Sequence, residues 1–151
     1  MVKKVKDVQY YEAVGRRKES RARVRLYIAD KSKGITLNGK KISLGQILVN
    51  GNPLDSVFKR EVEQKKCTFP LEVTDNLDRF AVSITTAGGG KTGQIEAIML
   101  GLSRALSLID GDTYKPLLRE HGLLTRDARI RERRKVGMGG KARRKKQSPK
   151  R

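Results

Sequence analysis

The last stretch of the chain, Arg126 to Arg151, sets the first limit on what the chain can become. It holds 13 lysines and arginines against two acids, Asp127 and Glu132, so eleven of the net +19 charges lie in it. From Arg133 onward there are ten bases, no acid, and only Val136 and Met138 as large apolar side chains. That is too little apolar surface to offset the entropy of ordering the backbone. The stretch is expected to stay extended until an anion orders it. Many charge runs are only solvated, solubilising tails, but a block this dense and of one sign reads as an arm for nucleic acid. Its candidate contacts are Arg126, Arg129, Arg131, Arg133, Arg134, Lys135, Lys141, Arg143, Arg144, Lys145 and Lys146, with Lys150 and Arg151 at the end.

Without the arm, about 125 residues remain, enough for one hydrophobic core. The expected division is a globule over residues 1–124 and an arm over 125–151. The remaining charge is uneven. Met1 to Arg25 carries nine bases and three acids, whereas Leu26 to Thr125 carries 13 bases and 11 acids. Both ends are basic around a nearly neutral middle, which points to a polyanionic partner. An anionic membrane would need an amphipathic helix or a lipid anchor, and the arm offers neither. No apolar run approaches the roughly 20 residues of a membrane span, and the start MVKKVKDVQYYE lacks the apolar middle of a signal peptide, so an intracellular, soluble protein is expected. Cys67 is the single cysteine and His121 the single histidine. Neither an internal disulfide nor a cysteine-based metal site can be built; Cys67 reads as a buried or half-buried thiol and His121 as structural or surface.

In order along the chain, Tyr10 to Val14 reads as a short strand and Gly15 to Ser20 as a basic turn. From Arg21 to Ile28 the residues alternate, Ala22, Val24, Leu26 and Ile28 on one face, Arg21, Arg23, Arg25 and Tyr27 on the other. That is the period of a half-buried strand. No acid interleaves with the arginines, so with Arg16, Arg17 and Lys18 they form a second cationic patch suited to phosphate. Asn38-Gly39 between short strand-like runs predicts a two-residue hairpin over Gly34 to Ile42. Ser43 to Val49 is ambiguous and Asn50 to Pro53 reads as a loop. Leu54, Val57, Phe58 and Val62 predict one helix through about Lys65. Alternation at Phe69, Leu71 and Val73 predicts a strand, Asp75-Asn76 a turn, and Phe80, Val82 and Ile84 another strand. A long helix follows, with an apolar stripe at Ile95, Ile98, Met99, Leu102, Leu106 and Ile109. Ala97, Gly101 and Ala105 make a flat strip where another backbone can come close. Gly111 ends that helix, and a short one is expected over Tyr114 to His121 with Pro116 near its start.

The turn before the long helix, Ala87-Gly88-Gly89-Gly90-Lys91-Thr92-Gly93, imitates two nucleotide-binding signatures. Gly88, Gly90 and Gly93 fit G-x-G-x-x-G, but the Rossmann case also needs an acid at the end of a second parallel strand, and Asp110 and Asp112 directly follow the helix. Gly90-Lys91-Thr92 mimics a P-loop whose first glycine would stand where Thr85 is. Two readings remain. The glycines serve tight backbone geometry, or Gly88, Gly89, Gly90 and Lys91 present backbone N–H groups at a helix N-terminus to a phosphate of a larger nucleic acid.

Three segments, GRRKESRARV (Gly15 to Val24), TTAGGGKTGQIEAIMLGLSRAL (Thr85 to Leu106) and LLTRDARIRERRKVG with the later KARR and terminal Lys-Arg (Leu123 to Arg151), closely resemble the universal ninth protein of the small ribosomal subunit, bacterial or organellar in type. The likeness covers essentially the whole chain in order. It implies an α+β fold: a single compact domain with a mixed sheet, a left-handed βαβ crossover and helices packed on it, plus the extended basic C-terminal arm. It implies a structural constituent of the small subunit, not an enzyme, with no cofactor, no metal, no membrane and no small-molecule substrate. The implied partners are small-subunit ribosomal RNA in the head (3′ major domain), neighbouring head proteins and the peptidyl-site tRNA, and the implied location is the ribosome, cytoplasmic or organellar. Lys150 and Arg151 match the family's terminal pair, which meets the tRNA anticodon stem-loop. Arg126, Arg129, Arg133, Arg134, Lys135, Lys141, Arg143 and Arg144 match its RNA-threaded part. The ending Ser148-Pro149-Lys150-Arg151 lacks the aromatic usual there, so stacking by the tail is not available, and Met138-Gly139-Gly140 replaces a more basic segment.

Reach is compatible with this. An extended Lys135 to Arg151 spans at most about 60 Å, against a radius of gyration near 14 Å for a globule of about 125 residues. Two other classes fit parts of the sequence: a free nucleic-acid architectural protein, on composition, and an enzyme using the glycine loop. Neither accounts for all three ordered segments.

Overall fold

The arginine-bearing alternating stretch is the central strand of the sheet. In the computed structural model, which describes residues 3–5, 8–28, 35–37 and 40–136, it runs from Ser20 to Tyr27 as β3. Before it come β1 (Lys3–Val5) and β2 (Val8–Arg17). The strand expected over 10–14 is therefore longer, and Gly15 to Arg17, read as turn, continue it. Only Lys18 and Glu19 turn, with Lys18 at φ 50°. β2 pairs antiparallel with β3 from Tyr10↔Tyr27 to Arg17↔Ser20.

The expected hairpin forms from β4 (Ile35–Leu37) and β5 (Lys40–Ile42), with Leu37 opposite Lys40. Its turn, Asn38-Gly39, lies outside the described residues. The ambiguous stretch contains β6 (Ile47–Val49), and the presumed loop after it is a second tight hairpin. Val49 pairs with Asn52 of β7 (Asn52–Pro53) across Asn50 and Gly51, both at positive φ, 52° and 81°. That is the requirement of a type I′ turn.

The middle of the chain departs most from expectation. The single helix predicted from Leu54 breaks into α1 (Leu54–Val57) and α2 (Glu61–Val73), with Phe58 extended between them at φ −113°, ψ 95° and fully buried. Phe58 has to leave the helical path to enter the core. Val62, counted as core, is 66% exposed. Phe69 to Val73 is helix, not strand. The buried set there is Cys67, Pro70, Leu71 and Thr74, spaced at i, i+3, i+4 and i+7, and the period-2 pattern of Phe69, Leu71 and Val73 is coincidental. Pro70 forfeits one helical hydrogen bond and offsets it by burial. Glu61 and Glu63 in the first turn suit the positive end of the helix.

After the turn at Asp75 come β8 (Ala81–Ala87), α3 (Lys91–Ile109) and α4 (Gly111–Glu120). α4 starts three residues before the expected Tyr114 because Asp110 caps it, accepting from the N–H groups of Asp112 and Thr113 at 3.2 and 3.1 Å. The sheet order is β1-β2-β3-β8-β6-β7, all antiparallel except β6 beside β8, which the α1–α2 crossover joins. The fold is thus α+β on a mixed sheet. Asn50 fastens the crossover strand by donating to Thr86 Oγ1 at 3.0 Å and accepting from the Thr86 N–H at 2.9 Å.

α3 crosses β2 and β3, and α2 and α4 lean on it. The core between helix and sheet includes Ala22, Val24, Leu26, Val82, Ile84, Ile98, Leu102 and Leu106. The small-residue strip of α3 receives β2. A Cβ on Gly15 would lie 1.9 Å from the Ala97 carbonyl oxygen and 2.5 Å from the Gly101 nitrogen. Among the described residues the opposite sheet face is covered at one end, where Tyr10, Tyr27 and Ala81 meet Ile35 and Ile42 of the hairpin. Tyr27, expected outward with the arginines, is therefore buried, while Ile28, expected inward, is 46% exposed beyond the strand end.

Candidate nucleic-acid interface

The uncovered end of that sheet face carries the arginines. Register places Arg16 opposite Arg21 and Arg21 opposite Ala87, all exposed, with Val14, Arg23 and Thr85 forming the next row. Among the described residues no acid or carbonyl holds Arg16, Arg21 or Arg23, so their guanidinium donors remain available. Lys18 sits at the adjoining turn, exposed. Arg25 belongs to another environment. It bonds Glu12 on β2 at 2.8 Å and lies over the Tyr10 ring at 5.3 Å, and the Glu12 hydrogen bond raises its pKa further. The absence of acids along β3 itself concealed this partner, which stands directly across on the neighbouring strand.

Arg17 is turned inward. Alternation puts it on the α3 side of β2, 9% exposed, where it pairs with Glu96 of α3 and with Asp127 at 3.0 Å and donates to the Arg129 carbonyl. Its charge is paired inside the molecule, in place of the exposed position expected of a phosphate contact: Arg17 roots the arm. Arg129 in turn clasps Asp127, its Nη2 and Nε at 2.9 and 3.1 Å from the carboxylate oxygens. The Arg129 side chain and N–H, with Arg17 behind them, hold the Asp127 carboxyl well below the usual carboxylate range. The sequence counted Asp127 only as an offset against 13 bases; the i, i+2 spacing to Arg129 was the available signal.

The glycine loop lies against the β2–β3 turn. Gly88 and Gly89 have φ of +73° and +63°, and side chains on them would strike the Glu19 carbonyl oxygen and Ser20 Oγ at 2.6 and 2.0 Å. Gly90 is the N-cap of α3 and makes no side-chain cap; helical bonding begins with the Gln94 N–H on the Gly90 oxygen at 3.0 Å. Lys91 is exposed in the first turn. The arm leaves from Leu123, and Arg126, Arg129, Arg131, Arg133, Arg134 and Lys135 are exposed on a segment with neither helix nor strand. Lys141, Arg143, Arg144, Lys145, Lys146, Lys150 and Arg151 lie outside the described residues.

A family model described as Ribosomal protein S9/S16 matches residues 15–151. The chain belongs to that family. Ribosomal protein S9/S16 membership makes it a ribosomal protein, a ribonucleoprotein component that binds ribosomal RNA and serves translation, in a structural and non-enzymatic class. The S9/S16 match begins at Gly15, the residue seated on α3, and takes in the open arginine rows, the glycine loop and the arm. Among the described residues no helix is long and apolar enough to cross a membrane.

Proposed function

We propose that this protein is a structural constituent of the small ribosomal subunit that anchors in the head, on the 3′ major domain of the ribosomal RNA, and extends its basic arm to the peptidyl-site tRNA. The observation carrying this reading is the exposed set Arg16, Arg21 and Arg23 on β2 and β3, uncommitted to any acid among the described residues, in a chain of the S9/S16 family. Arg16, Lys18, Arg21 and Arg23 grip phosphates, arginine through its planar fork and lysine as a point charge. Residues 1–124 act as the anchoring domain. Residues 125–151 act as an arm that stiffens the packed RNA, its last pair, Lys150 and Arg151, adding attraction for the anticodon stem-loop. Neighbouring head proteins complete the surroundings.

Sedimentation of a cell extract at low magnesium, with the protein followed by mass spectrometry, tests this reading. Unit stoichiometry in the small-subunit peak at moderate salt is the expected outcome. Protein found free or on DNA would put the architectural reading in its place. Deleting Lys150 and Arg151 is expected to leave subunit assembly intact and to weaken peptidyl-site tRNA binding modestly; loss of assembly would refute that division of labour.

A further inference from the structure

The acids of the chain are not spread evenly along it. Residues 45–78 hold six acids and four bases, while the rest of the chain holds ten acids and 31 bases. Within that acidic part a groove of about 840 Å³ opens at the β7 edge of the sheet, between the β6–β7 hairpin with the start of α1 on one side and α2 on the other. Ile47, Leu48, Pro53 and Leu54 are its apolar lining, and Gln46 and Lys65 stand on its two sides.

The strand pairing leaves this edge open. β7 is two residues long and reaches only Leu48 and Val49, so Ile47 pairs with Val82 of β8 and has no strand on its outer side. A sheet edge of this kind is a template for one more extended segment. Charge decides what that segment is. Asp55 and Glu61 are exposed at the groove; Lys65 is bridged to Glu61 at 3.2 Å, whereas among the described residues no base pairs with Asp55. Such a rim repels RNA phosphate and attracts lysine and arginine. The groove also lies away from the arginine rows. It is beyond β8 in the sheet and walled by α2, which packs on α3, on the face opposite those rows. RNA held by the arginines leaves it free.

We propose that this groove receives an extended, lysine- or arginine-bearing segment of a neighbouring protein of the small subunit. The segment lies as an added strand outside Ile47, its apolar side chains against Leu48, Pro53 and Leu54 and its basic ones at Asp55 and Glu61. This rests on the ribosomal placement proposed above. The occupant is of the same chemical kind as this chain's own arm: basic, extended, unable to fold alone and ordered by a surface of opposite charge, here carboxylates in place of phosphates.

The test uses assembled small subunits that carry the full-length chain with the photoreactive residue p-benzoylphenylalanine in place of Gln46, of Lys65 or of Val14. Gln46 and Lys65 flank the groove, so either serves if the other substitution hinders assembly; Val14 lies among the arginine rows. After irradiation, the cross-linked products are digested and identified by mass spectrometry. The expected result is one protein partner from the groove positions, joined through a stretch rich in lysine and arginine, and RNA from Val14. Combining the probe with Asp55→Lys and Glu61→Lys should lower the yield of the protein cross-link about tenfold, since like charges then face the segment, while the Val14 cross-link to RNA is unchanged. Groove cross-links to RNA, to an acidic or neutral protein surface, or to nothing overturn the inference, as does a protein cross-link that the charge reversal leaves intact. The placement on the ribosome fails separately, if the chain does not enter small subunits or Val14 reaches no RNA. If the chain assembles and Val14 reaches RNA while the groove captures no basic segment, only the present inference falls.

Discussion

Single atoms decide how closely β2 approaches α3. Gly15 and Gly101 let β2 lie on α3 at backbone distance, and a Cβ on Gly101 would itself come within 2.7 Å of Val24 Cγ2. Gly15→Ala is therefore expected to cost about 1–3 kcal/mol or more, as overpacking does when the obstacle is backbone, read as a lower urea midpoint with unchanged slope. Cys67 gives a chemical prediction at the same scale. Burial, then the nearby Glu63 charge, pushes its thiol up to about 12. With the folded value above the unfolded one, the buried neutral thiol favours the fold fully below the unfolded value of about 8.5, and that contribution fades as pH rises through the folded value. A thiol reagent near pH 8 should leave Cys67 intact in the native protein and modify it promptly after unfolding. The strip Ala97, Gly101, Ala105 was legible in the sequence, since small residues every four positions have one geometric use. What it received was not, because nothing around Gly15 marks it as more than a turn residue.

At the scale of elements, legibility followed period and length. The central strand and the long helix repeat their pattern often enough to stand out; the strand formed within one residue of expectation, whereas the helix starts at Lys91, inside the stretch to Gly93 read as turn. The α1–α2 region did not, since Phe69, Leu71 and Val73 satisfy a strand pattern while the buried Cys67, Pro70, Leu71 and Thr74 satisfy a helical one. A proline inside the segment tips a sequence reader toward the wrong choice. The exposure of Arg16, Arg21 and Arg23 was legible in the sequence, whereas the surroundings of Arg17 and Arg25 depend on acids from other elements, which no local pattern reveals. The join of β2, α3 and the arm makes its own prediction. Arg17→Met keeps the apolar stem and removes the charge. It should destabilise the fold by about 1.5–3 kcal/mol, the range for a hydrogen bond to a charged group, and speed tryptic cleavage after Arg126 and Arg129. Acid acts on the same join from the other side. Asp127 has a folded pKa below its unfolded value, so its bracing charge is fully present above about pH 4 and is lost only as pH falls through the folded value. A carboxyl titration followed by NMR should show no Asp127 midpoint near about pH 4, and a midpoint there would contradict the clasp with Arg129.

For the whole molecule, charge sets the binding and topology sets the order of assembly. With the arginine rows and the arm both engaged on RNA, affinity should fall steeply with salt, each neutralised phosphate adding about 0.7 to 0.9 to the logarithmic slope. Removing residues 125–151 should flatten that slope while the remaining chain keeps its unfolding midpoint to within the contribution of the Arg17 contacts. Topology works on a different clock. The central strand finds one neighbour at once, across a two-residue turn, but Val24 meets its other neighbour, Ile84, only after 60 more residues have been made. A chain growing from its N-terminus therefore carries a half-sheet with an unpaired inner strand until β8 appears, and its apolar face stays bare until α3 follows. Synthesis interrupted in that interval would leave an aggregation-prone fragment; the basic arm is made only after every segment that buries the core.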